Sequence, residues 1–231
     1  TALPILELDF MRIGNEYSCD ERFRPYLVGN TVEKNPRLVE LRRLLVENRV
    51  YVGTVTTLMS RPYIFALKHF ALAVVDEAGQ ITEPGLVGLL AAHRPKNRNE
   101  LAIDRFILIG DYKQLPAVVQ QSVEESAVTE PCLNEAGIRN CRDSLFERLI
   151  RNERRAGRED FIGLLRRQGR MHPVIAAYAG AMFYADERLE PVPCPHQKES
   201  VPGYQNEPAD ELDEALKDER VIFIPSEKTD E

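Results

Sequence analysis

The sequence predicts an α/β fold, a parallel sheet with helices on both faces, and three observations predict it. Short apolar runs rich in β-branched residues recur along the chain, and none alternates polar with apolar, which is the pattern of a strand buried on both faces. Between them lie stretches with apolar residues at three- and four-residue spacing, the period of a helix. Two of the apolar runs end abruptly in carboxylates, as strands do at the ligand-binding carboxyl edge of an open α/β sheet. The 231 residues suit one large domain or two small ones. With 43% hydrophobic and 29% charged residues, wholesale disorder is excluded.

Taken in order, residues 1–36 carry Gly14-Asn15, Pro25 and Gly29-Asn30 as breakers, and no long element is expected there. Pro36 to Asn48 reads as a helix, with Leu38, Leu41 and Leu45 on one stripe, Asn35 as N-cap and Pro36 at the first position. Strands are expected at Val50–Val55, Leu72–Val75, Phe106–Ile109, Phe161–Leu165 and Val221–Ile224. Helices are expected at Leu86–Ala92, Ser144–Arg155 and Pro173–Tyr184. Prolines 191, 193, 195, 202 and 208 crowd a stretch poor in large apolar residues, so 191–219 reads as a Pro-rich acidic connection.

Charge is unevenly spread. The net −7 comes wholly from residues 195–231, which hold 11 acidic and four basic residues, whereas residues 1–194 hold 26 of each. An acidic segment on a neutral body does not exclude a nucleic-acid partner. Arg148 to Arg170 has eight arginines against three acids. Four scattered cysteines and four scattered histidines lack metal-cage spacing and read as reduced thiols and ordinary polar residues. No apolar run nears the ~18–20 residues of a membrane span. The expectation is a cytoplasmic protein with no membrane partner.

Three constellations could carry chemistry. Leu72–Val75 runs into Asp76-Glu77-Ala78-Gly79-Gln80, two carboxylates at a strand end. Such a pair can divide phosphate chemistry, Asp76 holding Mg²⁺ through its water shell and Glu77 orienting and deprotonating a water. An isolated Asp-Glu pair is more often a solvated strand end. Phe106–Ile109 runs into Gly110-Asp111-Tyr112-Lys113-Gln114-Leu115-Pro116, where Gly110 permits a sharp exit and Gln114 presents an amide. Last comes Gln168-Gly169-Arg170-Met171-His172-Pro173, in which Arg170 precedes a helix opened by Pro173 and could reach a phosphate. His172 has no partner that would make it a base and reads as structural.

In this order the three stretches resemble motifs II, III and IV of superfamily 1 helicases, in the branch that includes the nonsense-decay RNA helicase and its DNA-acting relatives. Ser144-Leu145-Phe146-Glu147-Arg148-Leu149 and Met182-Phe183-Tyr184 resemble the same branch. The resemblance implies a RecA-like P-loop NTPase sheet flanked by helices, using ATP and Mg²⁺ on single-stranded DNA or RNA. It assigns Glu77, Gln114 and Arg170 to catalysis: water base, γ-phosphate sensor and arginine finger from a second domain. It places Asp76, Gln80, Asp111 and Gln168 on the cofactor side, Asp76 toward the metal. Thr54, Thr56 and Thr57 fall where the family has a nucleic-acid-contacting loop.

The sequence also departs from the family pattern. Position 169 is Gly where the branch has a base-stacking Tyr, and no G-x-x-x-x-G-K-[ST] phosphate loop is present. The expectation is therefore a fragment of a longer helicase, partnered by the rest of its parent polypeptide and weak or inactive alone. Residues 1–163 would be the C-terminal part of a first RecA-like domain, and 164–231 the start of a second. A non-catalytic RecA-like scaffold is the alternative. Metal-dependent nuclease chemistry would need a larger cluster of acids.

Overall fold

A computed structural model describes residues 9–34, 37–94, 97–198 and 207–222. The chain divides into two compact units, one ending at Gly157 and one beginning at Arg158. Both are mixed α and β with parallel strand pairs.

The first unit opens with β1 (Phe10–Arg12) and α1 (Val28–Lys34), two elements that the breakers at 14, 25 and 29 had hidden. Gly29 lies inside α1, where a side chain would meet nothing within 4 Å, so it weakens the helix without marking its end. Helix α2 (Leu38–Glu47) follows, with Arg37 at its N-cap position; its side chain makes no capping bond and pairs with Glu40 at 3.6 Å. The expected cap, Asn35 with Pro36, lies outside the described residues. Leu45 is buried and Leu41 packs on the same cluster, whereas Leu38 faces solvent. Strand β2 (Val50–Val52) pairs parallel with β1. It stops short of the expected Val55 because Thr54 caps the next helix, α3 (Val55–Met59), and α4 (Tyr63–Leu67) follows.

The second strand pair carries the site. β3 (Ala73–Val75) is followed by α5 (Glu83–Leu90), the hairpin β4 (His93–Arg94) and β5 (Asn97–Leu101), then β6 (Phe106–Leu108). β3 and β6 run parallel, with Val74 opposite Ile107. Burial on both faces was expected of them and is not found: Val75 is 5% exposed, but Val74 and Ile107 are 57% and 48% exposed. Core side chains cover one face of this pair, while Val74 and Ile107 on the other stay about half exposed. The hairpin was missed because His93–Asn99 is almost wholly polar and shows no strand period.

Two clusters form the core of this unit. Met11, Ile13, Val28, Leu45 and Ile64 make one; Phe65, Val75, Ala78, Leu86, Leu89, Ala102, Ile103 and Leu145 make the other. Helix α4 sends Ile64 into the first and Phe65 into the second, and Leu58 and Phe70 lie against both. The unit ends with α6 (Pro131–Glu135) and α7 (Leu145–Arg155). Helix α7 starts as a Ser-x-x-Glu sequence should: Ser144 Oγ accepts from the Glu147 amide at 3.1 Å. Gly157, at φ +67°, closes it in the left-handed turn that glycine favours. A buried ion pair clamps α7 to α5. Arg148 Nε donates to Glu83 Oε2 at 2.7 Å, a second bond joins Nη2 to Oε1, and Nη1 donates to the Ala136 carbonyl at 2.9 Å.

The second unit is a β-α-β element. β7 (Arg167–Gln168) and β8 (Glu190–Pro191) are parallel, joined through α8 (Pro173–Phe183), and α9 (Glu211–Asp218) lies further on. The expected strand at Phe161–Leu165 is not formed. Phe161 and Leu165 are each 84% exposed, and the ladder partner of this region lies opposite Arg167–Gln168 instead. Val221 and Ile222 are not in a strand, and Phe223 and Ile224 lie outside the described residues. The 191–219 connection holds more structure than its prolines suggested: the end of β8, a 3-10 turn at Pro195–Gln197 and α9. Asp210 starts α9, its Oδ1 accepting from the Asp213 amide at 2.9 Å. Residues 199–206 of that connection lie outside the described residues. Among the described residues no helix is long and apolar enough to cross a membrane.

The Glu83–Arg148 clamp makes a measurable prediction. With the two side chains only 9% and 17% exposed, Arg148→Met leaves a buried carboxylate unpaired and should cost about 3 kcal/mol of stability. Replacing both partners together, as Glu83→Leu with Arg148→Met, should cost less. Urea unfolding followed by circular dichroism measures this, and additive losses would show that the pair is not coupled.

Candidate functional site

The carboxyl ends of β3 and β6 meet through their backbones. Beyond the paired residues the Ile109 amide donates to the Val75 carbonyl and the Ala78 amide to the Ile109 carbonyl, both at 2.8 Å. The contact is possible only because two glycines face each other. A Cβ on Gly110 would sit 2.8 Å from the Gly79 nitrogen and 3.1 Å from that of Ala78. A Cβ on Gly79 would sit 3.1 Å from the Asp111 carbonyl oxygen. Gly110 is singled out by the sequence as an exit from the sheet; its larger role is to let the two turns touch.

Glu77, the second residue of the turn that leaves β3, has a constrained backbone. Its backbone is left-handed, φ 52° and ψ 38°, a conformation that disfavours a residue with a long side chain by roughly 1–2 kcal/mol. Its amide donates to Asp76 Oδ1 at 3.1 Å. Its Oε2 accepts from Gln80 Nε2 at 3.2 Å, and its carbonyl accepts the Gln80 amide at 2.9 Å. Asp76, Glu77 and Gln80 are all exposed at this edge. Neighbouring Ala78 and Gly79 are buried and anchor them.

On the adjacent turn Asp111 organises the loop. Its Oδ1 accepts from the Lys113 amide at 3.0 Å and its Oδ2 from Gln114 Nε2 at 2.9 Å. That bond uses the nitrogen of the Gln114 amide and turns its carbonyl oxygen away from Asp111. Five of the expected residues, Asp76, Glu77, Gln80, Asp111 and Gln114, are thus carried on two touching turns at one sheet edge.

The threonine stretch behaves differently. Thr54 Oγ1 accepts from the Thr57 amide at 3.2 Å and donates to Thr57 Oγ1 at 2.8 Å, so one hydroxyl caps α3 and a second is engaged with it. Thr56 is exposed.

In the second unit Arg170 is exposed just ahead of α8, whose N-cap is His172, with Nδ1 accepting from the Val174 amide at 3.3 Å. Gln168 grips the backbone of Met171 from both sides: Oε1 accepts its amide at 2.9 Å and Nε2 donates to its carbonyl at 3.0 Å. Buried Gln197 donates to the Gln168 and Met171 carbonyls at 3.0 and 2.9 Å, and His196 Nε2 lies 2.7 Å from the Gly169 carbonyl. The loop that bears Arg170 is therefore shaped by its own polar residues. Gly169 has room for a side chain: a Cβ there would touch Val192 and Cys194 only at 3.7 Å. Packing does not impose the glycine.

Among the described residues no group of three or more His, Cys, Asp or Glu side chains is placed to hold a metal. A lone hard carboxylate suits Mg²⁺, which keeps several waters and takes one or two protein carboxylates together with substrate phosphates. Asp76 fits that role.

Residues 12–122, just under half of the chain, match the family described as an AAA domain, a stretch that holds both touching turns. The chain is 31% identical over 193 residues to the DNA replication ATP-dependent helicase/nuclease DNA2 of Xenopus laevis, covering 81% of this chain and 15% of that protein. It is 29% identical over 180 residues to the DNA replication ATP-dependent helicase/nuclease JHS1 of Arabidopsis thaliana, covering 78% and 11%. With the 5'-3' DNA helicase ZGRF1 of Mus musculus it shares 31% over 203 residues, covering 76% and 10%. The chain thus spans 15% or less of the length of each of these three relatives.

The glycine contact generates its own test. Gly110→Ala forces a methyl against backbone nitrogens and should destabilise by about 1–3 kcal/mol. Gly29→Ala, in open space within α1, should be neutral or stabilising by up to about 1 kcal/mol. Thermal unfolding of the two variants compares them directly, and equal midpoints would mean that the two turns do not meet.

Proposed function

We propose, for a chain that carries an AAA domain of the superfamily 1 helicase class, that its two touching turns form the phosphate-facing edge of an ATP-dependent helicase or translocase acting on single-stranded DNA or RNA. The observation that carries the reading is Glu77. A strained carboxylate one residue past Asp76, at the carboxyl end of a parallel strand, is where an open α/β sheet does its chemistry. The names of the relatives support ATP dependence and helicase action.

Each residue then has a role. Asp76, through the oxygen that does not take the Glu77 amide, holds Mg²⁺ by way of its waters. When bound, that ion neutralises charge on the phosphate oxygens. Glu77, steadied by Gln80, orients the attacking water and accepts its proton. Gln114, fixed through its nitrogen by Asp111, offers its carbonyl oxygen to the same water or reports on the terminal phosphate. Gln168 sets the backbone course of the loop that carries Arg170 on the cofactor side. Arg170 acts as an arginine finger, a contribution worth roughly 10³–10⁵ in rate. The Thr54–Thr57 stretch meets the nucleic-acid backbone, with Thr56 the hydroxyl not engaged in the cap. Full activity also needs the phosphate cradle, which these 231 residues do not supply in the G-x-x-x-x-G-K-[ST] form.

A second reading, a non-catalytic scaffold of the same fold, is favoured by Gly169 standing where a stacking aromatic is expected. Two measurements on the 231-residue protein decide between them. A fluorescently labelled single-stranded oligonucleotide should bind with an affinity that falls as salt rises, read by anisotropy for DNA and RNA separately. Mg²⁺-dependent ATP turnover should stay below about 1 s⁻¹, the low end for ordinary enzymes, and Glu77→Gln should reduce it by about 10²-fold or more. A protein that binds no oligonucleotide, with turnover indifferent to Glu77→Gln, is a scaffold.

A further inference from the structure

Helix α7 touches the site at both ends. At its first turn the Phe146 ring packs by Gly110, Cε1 lying 3.5 Å from where a Cβ would be. At its middle Arg148 is clamped to Glu83. In its last turn Arg154 Nη1 donates to the Tyr112 hydroxyl at 2.7 Å, with the guanidinium 5.9 Å from the centre of the same ring. Tyr112 lies between Asp111 and the residues that Asp111 organises, Lys113 and Gln114. The loop is therefore held at its start by backbone contact with the Asp76–Gln80 turn and further along by a side chain from α7. The ordinary fate of a last-turn arginine is to lie in water beside the helix carbonyls. This one spans 42 positions in sequence to a phenol.

We propose that Arg154 is a positioning residue for the Asp111–Gln114 pair. Three residues beyond it, at Gly157, the first unit ends and the chain passes into the unit that carries Arg170. The Arg154–Tyr112 contact is a latch between that exit and the nucleotide-facing loop. Displacement of the α7 end loosens Tyr112 and with it the placement of the Gln114 amide. On the helicase reading, on which its functional meaning rests, the latch holds the water-orienting residues of the first unit in place.

Amide hydrogen exchange by NMR on the complete 231-residue chain, without nucleotide, tests it at Lys113 and Gln114. Arg154→Ala and Tyr112→Phe should each speed their exchange about three- to tenfold, and together no more than the larger single effect. Arg154→Lys should recover part of the protection, since an ammonium can still donate to the phenol but lacks the guanidinium's fixed fork of donors. Arg155→Ala, one position on, should match the parent chain, as should the Ala78 amide in every variant. Unchanged exchange in Arg154→Ala overturns the proposal, and so does equal acceleration in Arg155→Ala, which would mean mere fraying of the helix end. The measurement involves neither ATP nor nucleic acid, so its failure removes the latch alone, whereas the oligonucleotide and turnover assays bear only on the helicase reading.

Discussion

The contact between Gly79 and Gly110 is the constraint on which the site depends. Two turns leaving neighbouring parallel strands would ordinarily be held apart by their own side chains. Here the backbones approach until a single methyl group would collide with an amide nitrogen 2.8 Å away. Four candidate residues of the first unit are placed by that approach: Asp76 and Glu77 on one turn, Asp111 and Gln114 on the other. The buried Ala78, whose amide is bonded to Ile109, makes the approach rigid.

Around that contact the structure supplies support of decreasing strength. The strand ladder and the core of Val75, Leu86, Ala102 and Leu145 fix the turns from below. The Glu83–Arg148 pair fixes α7 against α5, and α7 carries Phe146 to Gly110. Surface polar bonds complete the arrangement: Gln80 on Glu77, Asp111 on Gln114, Arg154 on Tyr112. The candidate site residues are exposed or half-buried and lightly held, while the core beneath the two turns is buried, a division common in α/β proteins.

Much of this was legible in the sequence where local rules operate. The helix after Ser144 was legible through the spacing of its apolar residues, and the one after His172 through Pro173 at its first turn. The strand ends at Asp76 and Gly110 were readable because an abrupt change from apolar to polar marks an edge. What could not be read depends on partners distant in the chain. Phe161–Leu165 has the composition of a strand but lacks a neighbour to pair with, so the ladder forms at Arg167–Gln168 instead. Asn97–Leu101 pairs through its backbone despite a polar sequence. The one-sided burial of β3 and β6 depends on what covers them, about which the period of a strand is silent. The ties of Glu83 to Arg148 and of Tyr112 to Arg154, 65 and 42 positions apart, leave no local trace.

The left-handed backbone at Glu77 has a consequence for how this segment would evolve. Glycine or asparagine would occupy that conformation with less strain than glutamate. Selection for thermal tolerance alone therefore runs downhill away from the carboxylate, and a library sorted only by heat resistance would be enriched in variants that have lost it. A catalytic role for Glu77 would set stability against chemistry at this position, and glutamate retained through such sorting would be the sign of it.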